Sequence, residues 1–377
     1  MEWVRLTEIS NPKQWKTISK NQLIESGYPV YGANGKIGFY NKYNHEDPTI
    51  LITCRGATCG TLNISEPYSY INGNAMSIDD LNVEKVNIMY LYYFLKYRGF
   101  NDVISGSAQP QITRTNLEKI LIPLFENELQ LKIVKSLEKI EDIIKKRKEQ
   151  IQAYDDLIES LFFDMLQYEL MSDKIEYSKL GDLTSHISSG STPRGGSSVY
   201  KSEGIPLIRS QDVKMNNLDY SNVIYIDTET HDKMKRSKLK NRDVLLNITG
   251  ASIGRTAVFY GEDDSANTNQ HVAAIRLKDE KVSPEFLSFY FSTEYFQAII
   301  KNISSGGTRE ALNYKQIREF DIPLISKIKQ EKFIKNKEKI EEEKEKLNSS
   351  LKELEDLFDA LMQDAFSGNL FKDWEGR

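Results

Sequence analysis

Cysteine and histidine are scarce. Only Cys54 and Cys59, and His45, His186, His231 and His271, occur in 377 residues. A lone C-x4-C pair with scattered histidines lacks zinc-ligand spacing, and one cysteine pair is not the framework of a small secreted fold. Long apolar runs are missing as well: none approaches the ~18–20 residues of a membrane span. The opening Met1-Glu2-Trp3-Val4-Arg5 is not a charged-then-apolar leader. A reducing cytoplasm and no membrane partner are expected. Catalytic motifs are also absent. There is no G-x-x-x-x-G-K-[ST] phosphate loop, and Gly32, Gly35 and Gly38 have the wrong spacing for a dinucleotide fingerprint. No Asn/Asp-Pro-Pro-aromatic tetrapeptide is present to hold an amino group for methylation; Asn11-Pro12-Lys13-Gln14 lacks the second proline and the aromatic. No cofactor, metal or catalytic residue is expected in this chain.

An excess of positive charge is missing too. The net charge is -5, from 50 Lys+Arg against 55 Asp+Glu, which argues against a freestanding, non-specific nucleic-acid binder. The acidity is local: residues 1–125 carry +1, 126–175 carry -4, 176–325 carry 0 and 326–377 carry -2. If the chain holds DNA, a partner is expected to supply much of the phosphate-binding charge.

What the sequence does have is a duplication. Ile122-Pro123-Leu124 recurs 200 residues later as Ile322-Pro323-Leu324. At the same offset Leu117 matches Ile317, Ile120 matches Phe320, and Ser105-Gly106 matches Ser305-Gly306. Downstream, Gln130 matches Gln330, Lys132 matches Lys332, Ile140-Glu141 matches Ile340-Glu341, Leu157 matches Leu357, and Leu161 matches Leu361. Such self-similarity marks a repeated architecture. After each Ile-Pro-Leu, apolar residues step by four and three: Ile133, Leu137, Ile140, Ile144, then Arg147 as the one polar interruption, and on to Met165. The second copy runs from Phe333 to Ala365 and is poorer at Lys337 and Lys344. This is a heptad seam, free of Gly and Pro over 127–170 and 327–367. Two helices of about forty residues, ~60 Å long, are expected to pack antiparallel as a coiled-coil rod. Each globular block precedes its helix, so a pseudo-twofold object with a block at either end of the rod is anticipated.

The blocks themselves read as α+β. Ile50-Leu51-Ile52 and Val244-Leu245-Leu246 are candidate buried strands, each leading into a Gly-x3-Gly turn, Gly56–Gly60 and Gly250–Gly254. Those glycines are expected to serve turn geometry. Ile88–Tyr97 and Glu285–Ile300 read as helices whose aromatics are core. Within the blocks the register drifts: Leu6-Thr7-Glu8-Ile9 resembles Leu180-Gly181-Asp182-Leu183 at an offset of 174, and Asn72-Gly73-Asn74 resembles Asn267-Thr268-Asn269 at 195. Insertions therefore gather in the blocks while the rod stays constant. The expected division is 1–125, first globular domain; 126–172, first helical region; 173–325, second globular domain; 326–377, second helical region.

At this point the chain resembles the type I restriction-modification specificity subunits along nearly its whole length. The local matches are Tyr28-Pro29-Val30-Tyr31-Gly32-Ala33-Asn34-Gly35, Leu180-Gly181-Asp182, Gly204-Ile205-Pro206-Leu207-Ile208-Arg209, Asn269-Gln270-His271, and Ser304-Ser305-Gly306-Gly307-Thr308-Arg309. The first copy departs from the pattern with Thr7 for Gly181, and with Gln109-Pro110-Gln111 for Arg309-Glu310-Ala311. The resemblance implies a non-catalytic adaptor with two target-recognition domains that read a bipartite site in double-stranded DNA. Adenine methyltransferase subunits, which bring S-adenosylmethionine, would grip the helical rod. A restriction/translocase subunit that uses ATP and Mg would join for cleavage.

The DNA-contact candidates are loop residues of suitable chemistry. Arg55, Arg114, Arg209, Arg255 and Arg309 suit guanine edges or phosphates; Asn34, Asn74, Asn269, Gln270 and His271 suit adenine edges or backbone. Thr58, Thr249, Ser252 and Thr308 beside glycines suit phosphate contacts through hydroxyl and N–H groups. A coiled-coil scaffold without sequence-specific readout is the alternative, and it would show partners but no dependence on DNA sequence.

Overall fold

The computed structural model describes residues 2–106, 109–171, 175–193, 195–304 and 311–368. It divides into two units, Met1–Gln150 with Leu347–Arg377, and Ile151–Lys346. Each unit is a mixed α/β domain with segments of two long helices, Asn127–Met171 and Lys327–Phe366.

Each domain is closed by its own ends. Glu2–Arg5 pairs antiparallel with Leu121–Leu124, and Glu176–Lys179 pairs in the same way with Asp321–Leu324. The repeated Ile-Pro-Leu is thus a closing strand. Its proline lies in a two-stranded edge pair, where a missing N–H is tolerated, and its isoleucine (Ile122 or Ile322) is fully buried. The one-turn helices Leu6–Ile9 and Leu180–Leu183 follow, tied by Leu6 N–H to Ile120 O and Leu180 N–H to Phe320 O, both 2.9 Å. Gly181 stands where the first copy has Thr7 because a Cβ there would approach Arg318 Cβ to 3.1 Å.

Both domains then build the same two sheets. In the first, an antiparallel sheet runs in the order Asn11–Gln14, Ala75–Asp79, Ile50–Thr53, Leu62–Ile64. A second sheet runs Gly35–Tyr40, Tyr28–Gly32, Tyr70–Ile71, with the last pair parallel. The second domain repeats these as Thr184–Ser189, Val272–Leu277, Val244–Asn247, Thr256–Val258, and as Ile224–Ile226, Ile205–Ile208, Asn267–Thr268. The central strands Ile50–Thr53 and Val244–Asn247 are buried at every residue. That explains their unbroken apolar character, since apolar–polar alternation belongs to strands with one wet face. The second domain adds a hairpin, Val213–Lys214 with Asn217–Leu218, and a short helix, Thr228–Lys233.

Of the aromatics of Ile88–Arg98, Tyr90, Tyr93 and Phe94 are buried beside Ile133 and Leu137, Tyr92 is half-buried and Tyr97 is exposed. Burial raises the phenols of Tyr90 and Tyr93 well above their usual range. The expected second helix breaks at the extended residue Thr293 into Pro284–Ser292 and Glu294–Ser304. Thr293 closes one helix and caps the next, accepting from Phe296 N–H at 3.3 Å.

The long helices run antiparallel within each unit. In the first, Lys148 pairs with Glu355 at 2.7 Å, while Ile133 and Leu137 share a core with Phe358, Met362 and Phe366. In the second, Asp155 pairs with Lys344 and Phe162 packs on Phe333 at 5.2 Å between ring centroids. Phe162 lies one place off the expected seam and is fully buried among Phe286, Phe289 and Phe333, a burial that contributes about 2–3 kcal/mol. One polar residue per copy anchors helix to domain. Gln130 accepts from Asn87 N–H (2.8 Å) and donates to the carbonyls of Lys85 and Phe125 (2.9 and 2.8 Å). Gln330 repeats this with Ser283 N–H (2.9 Å) and the carbonyls of Lys281 and Ile325 (2.8 and 2.6 Å). Both are almost wholly buried, which a neutral amide tolerates only with its bonds made.

Candidate nucleic-acid interface

Each central strand ends in the glycine loop expected from the sequence, and the two loops match bond for bond. In the first domain Gly60 N–H reaches Thr53 O (2.8 Å), Cys59 N–H reaches Gly56 O (3.0 Å) and Thr61 N–H reaches Thr58 O (3.0 Å). In the second, Gly254 reaches Asn247 O (2.9 Å), Ile253 reaches Gly250 O (3.0 Å) and Arg255 reaches Ser252 O (3.2 Å). The glycines take positive φ at the same places, +87° and +92° for Gly56 and Gly60, +79° and +87° for Gly250 and Gly254. Residues with a Cβ resist that region.

Three further segments converge on the first loop. The tight turn Ala33-Asn34 joins it through Thr58 Oγ1, which donates to Asn34 Oδ1 at 2.8 Å. Gln111 joins through a bridge with Arg55. Asn74 joins through its carbonyl, which accepts from the Cys54 thiol at 3.3 Å; burial raises that thiol's pKa. Arg114 opens the short helix Arg114–Leu117 just beyond, where Ile112 N–H meets Cys54 O at 3.0 Å. Asn34, Arg55, Thr58, Asn74 and Arg114 are thus gathered at one end of the domain, all exposed. Neither the Arg55 nor the Arg114 guanidinium has a hydrogen-bond or ion-pair partner among the described residues.

The second loop collects a denser polar network. Thr249 bridges to Ala311 and bonds through its hydroxyl to His271 Nδ1. His271 Nε2 lies 2.9 Å from the Gln270 amide nitrogen, and Gln270 Oε1 accepts from Thr192 at 2.7 Å. Ser252 accepts from Asn247 at 3.1 Å. Arg255, half-buried, has a guanidinium without a hydrogen-bond or ion-pair partner among the described residues. Thr308 and Arg309 lie outside the described residues. These ends therefore offer unpaired guanidiniums, carboxamides and hydroxyls on fixed turns, the groups that pair with base edges and phosphates. Among the described residues, no group of three or more His, Cys, Asp or Glu is placed to hold a metal ion.

The family model for the type I restriction modification DNA specificity domain matches residues 1–153 and 172–356. The chain belongs to that family. Its two copies of the specificity domain are the two α/β domains with their helical segments. The chain is 23% identical over 368 residues to a putative type I restriction enzyme specificity subunit of Haemophilus influenzae, covering 90% of this chain and 88% of that one. It is 28% identical over 176 residues to the type I restriction enzyme EcoBI specificity subunit of Escherichia coli, covering 46% of this chain and only 37% of that subunit. The fold is that of the S subunit of a type I restriction-modification system from M. genitalium, with a TM-score of 0.60 at 16% identity over 97% of this chain and 96% of that one.

Within these specificity domains, strand pairing corrects one sequence reading. Asn72 N–H meets Tyr31 O as Asn269 N–H meets Ile208 O (2.9 and 3.1 Å), and Ala75 and Val272 follow in register. Asn72 therefore corresponds to Asn269 and Asn74 to His271, not Asn74 to Asn269. Asn269 accepts from His271 N–H (3.0 Å), so its side chain shapes its own turn. Arg209 is tied down too: it forks onto buried Asp212 (3.1 and 3.2 Å) and donates to Asn222 O (2.6 Å). A residue absent from the sequence-based set is Gln211, which stands where the first domain has Asn34. The shared signal was Gly27-Tyr28-Pro29-Val30 against Gly204-Ile205-Pro206-Leu207. Both glycines have positive φ, and a Cβ at either would strike a facing strand carbonyl, Tyr40 O at 2.5 Å or Ile226 O at 2.7 Å.

Proposed function

We propose that this chain reads a bipartite site in double-stranded DNA, one half with each domain, and leaves catalysis to partner subunits. The observation that carries this is the pair of glycine loops: one backbone frame, built twice, bearing different side chains at matched places. Arg55 is equivalent in the repeat to Thr249, Thr58 to Ser252, Thr61 to Arg255, Asn74 to His271, and Arg114 to Tyr314. A constant frame with varied chemistry is what two readers of different sequences require. In this reading Asn34, Arg55, Thr58, Asn74 and Arg114 contact the first half-site, and Thr249, Ser252, Arg255, Gln270, His271, Thr308 and Arg309 the second. Arg209 and Asn269 hold their own turns.

Adenine methyltransferase subunits would dock on the long helices. There Leu157 and Leu357, equivalent positions of the repeat, are both exposed, as is Phe163. S-adenosylmethionine would then belong to the methyltransferase, and ATP and Mg to a restriction/translocase subunit. The assembly would work in the cytoplasm; no helix among the described residues is long and apolar enough to cross a membrane. The test is methylome mapping of a host that carries the cognate methyltransferase, with and without this chain. A split adenine-methylated motif that requires the chain is the expected result. An assembled complex with no chain-dependent motif defeats the proposal.

A further inference from the structure

The register of the outer sheets identifies one residue more closely. Val30 and Tyr31 pair with Tyr70 and Ile71, as Leu207 and Ile208 pair with Asn267 and Thr268. The next residues form the turns Gly32–Gly35 and Arg209–Asp212, so Ala33 matches Ser210 and Asn34 matches Gln211. An independent bond confirms the match. From the end of each central strand a side chain reaches the same turn carbonyl: Thr53 Oγ1 donates to Ala33 O, and Asn247 Nδ2 donates to Ser210 O at 2.7 Å.

Both turns present a carboxamide at their tip, but they hold it differently. Asn34 is steadied by Thr58. Gln211 is exposed, and its side chain has no partner among the described residues; only its carbonyl is used, by Lys214 at 2.9 Å. The stiffness lies in the turn beneath it. Asp212 N–H closes onto Arg209 O (2.9 Å), and the Asp212 carboxylate accepts both the backbone N–H (2.8 Å) and the forked guanidinium of Arg209. The guanidinium also ties the turn to Asn222 O. A free carboxamide on a braced turn has the acceptor and donor that match adenine N6 and N7, and the brace leaves only the side chain's rotamers, not the backbone, to be ordered on binding.

The geometry points to Gln211 as a base-reading residue of the second domain, the counterpart of Asn34 in the first, with Arg209 as its positioning residue. This rests on the DNA-reading function proposed above and assigns one adenine position of the second half-site to Gln211. The experiment is methylome mapping of the chain with its methyltransferase partners, for the unaltered chain and for Gln211→Ala, Gln211→Glu and Arg209→Met. Gln211→Ala relaxes one A·T position of the second half-site, cutting its preference about tenfold or more. The first half-site and the spacing stay as they were, which shows that the variant folds and assembles. Gln211→Glu moves that position toward C, since a carboxylate accepts from cytosine N4. Arg209→Met loosens the same position. A motif read as strictly by both Gln211 variants as by the unaltered chain overturns the assignment to Gln211, and loosening of a different position by Arg209→Met overturns the positioning role. Absence of any chain-dependent motif with the unaltered chain overturns the DNA-reading function itself.

Discussion

Asp79 and Arg276 occupy the same place in their sheets, beside the space between the two sheets of each domain, and carry opposite charges. In the first domain Asp79 accepts from His45 Nε2 (2.8 Å) and Trp15 Nε1 (3.0 Å), and the apolar cluster beside it is small: Tyr31, Leu51, Ile71 and Ala75, with Trp15. In the second, Arg276 forks onto the fully buried Asp243 (2.8 and 2.6 Å). The intervening layer is a larger apolar cluster that includes Leu239, Leu245, Phe259 and Val272. Gly190 stands where the first domain has Trp15, because any Cβ there would collide with Thr268 O. The inner layer, by contrast, keeps the same buried glutamine, closing strand and glycine loop in both copies. The duplicated domain has diverged in the layer that carries the tip turns, and has stayed constant where it meets the long helices.

The largest effect should come from the constant layer. Gln130→Ala and Gln330→Ala each leave three backbone groups without their partner and a cavity at a buried side chain, so each is expected to destabilise its unit by about 3 kcal/mol in chemical denaturation. Equal losses would show that the two copies are energetically as well as geometrically alike; a markedly unequal pair would break the comparison.

The divergent layer should respond unequally. Arg276→Met leaves the buried Asp243 carboxyl without its cation, and is expected to cost about 3 kcal/mol. Asp79→Asn should cost less, about 2 kcal/mol, and this loss should depend on acid pH. Burial raises the Asp79 pKa, but the bonds from His45, Ser77 and Trp15 outweigh it and hold the carboxyl below its usual value. Its contribution is therefore complete above the ordinary carboxylate range and is lost as pH falls through the lower folded value. The stability gap between Asp79→Asn and the unaltered chain should narrow below about pH 4; a gap constant with pH would mean that the charge of Asp79 does not stabilise the fold.

The smallest effect sharpens the match of the loops. A Cβ at Gly56 or Gly250 meets nothing within 4 Å, so alanine there adds only the strain of positive φ, about 1 kcal/mol in each domain. A loss several times larger at one loop would show that the two loops differ in some way other than backbone strain.

Much of this architecture was legible locally. The heptad steps mark residues that come out buried or half-buried along both long helices, and the Gly-x3-Gly turns have the conformation that only glycine adopts readily. Ile-Pro-Leu could be recognised as a repeat, though not as a closing strand, because its partner is the far end of the domain. The candidate site was legible in part. Asn34, Arg55 and Thr58 are drawn together by turns that announce themselves. Arg209 looked free in sequence because its tether, Asp212, becomes a tether only when the turn folds back. Gln211 was hidden because the register between the copies drifts through their insertions.

By itself, then, the amino-acid order determined the two long helices, the buried central strands and the glycine turns, and that the pattern is used twice. Those are short-range properties, set by periodicity and by the few residues that accept unusual backbone angles. Which Asn matches which, whether an arginine is free or clamped, and which charge closes the space between the sheets were decided only by tertiary structure. Strand register and burial bring together residues distant in the chain, such as Asp79 with His45, Arg276 with Asp243 and Asn269 with Ile208, and no local pattern encodes those pairings.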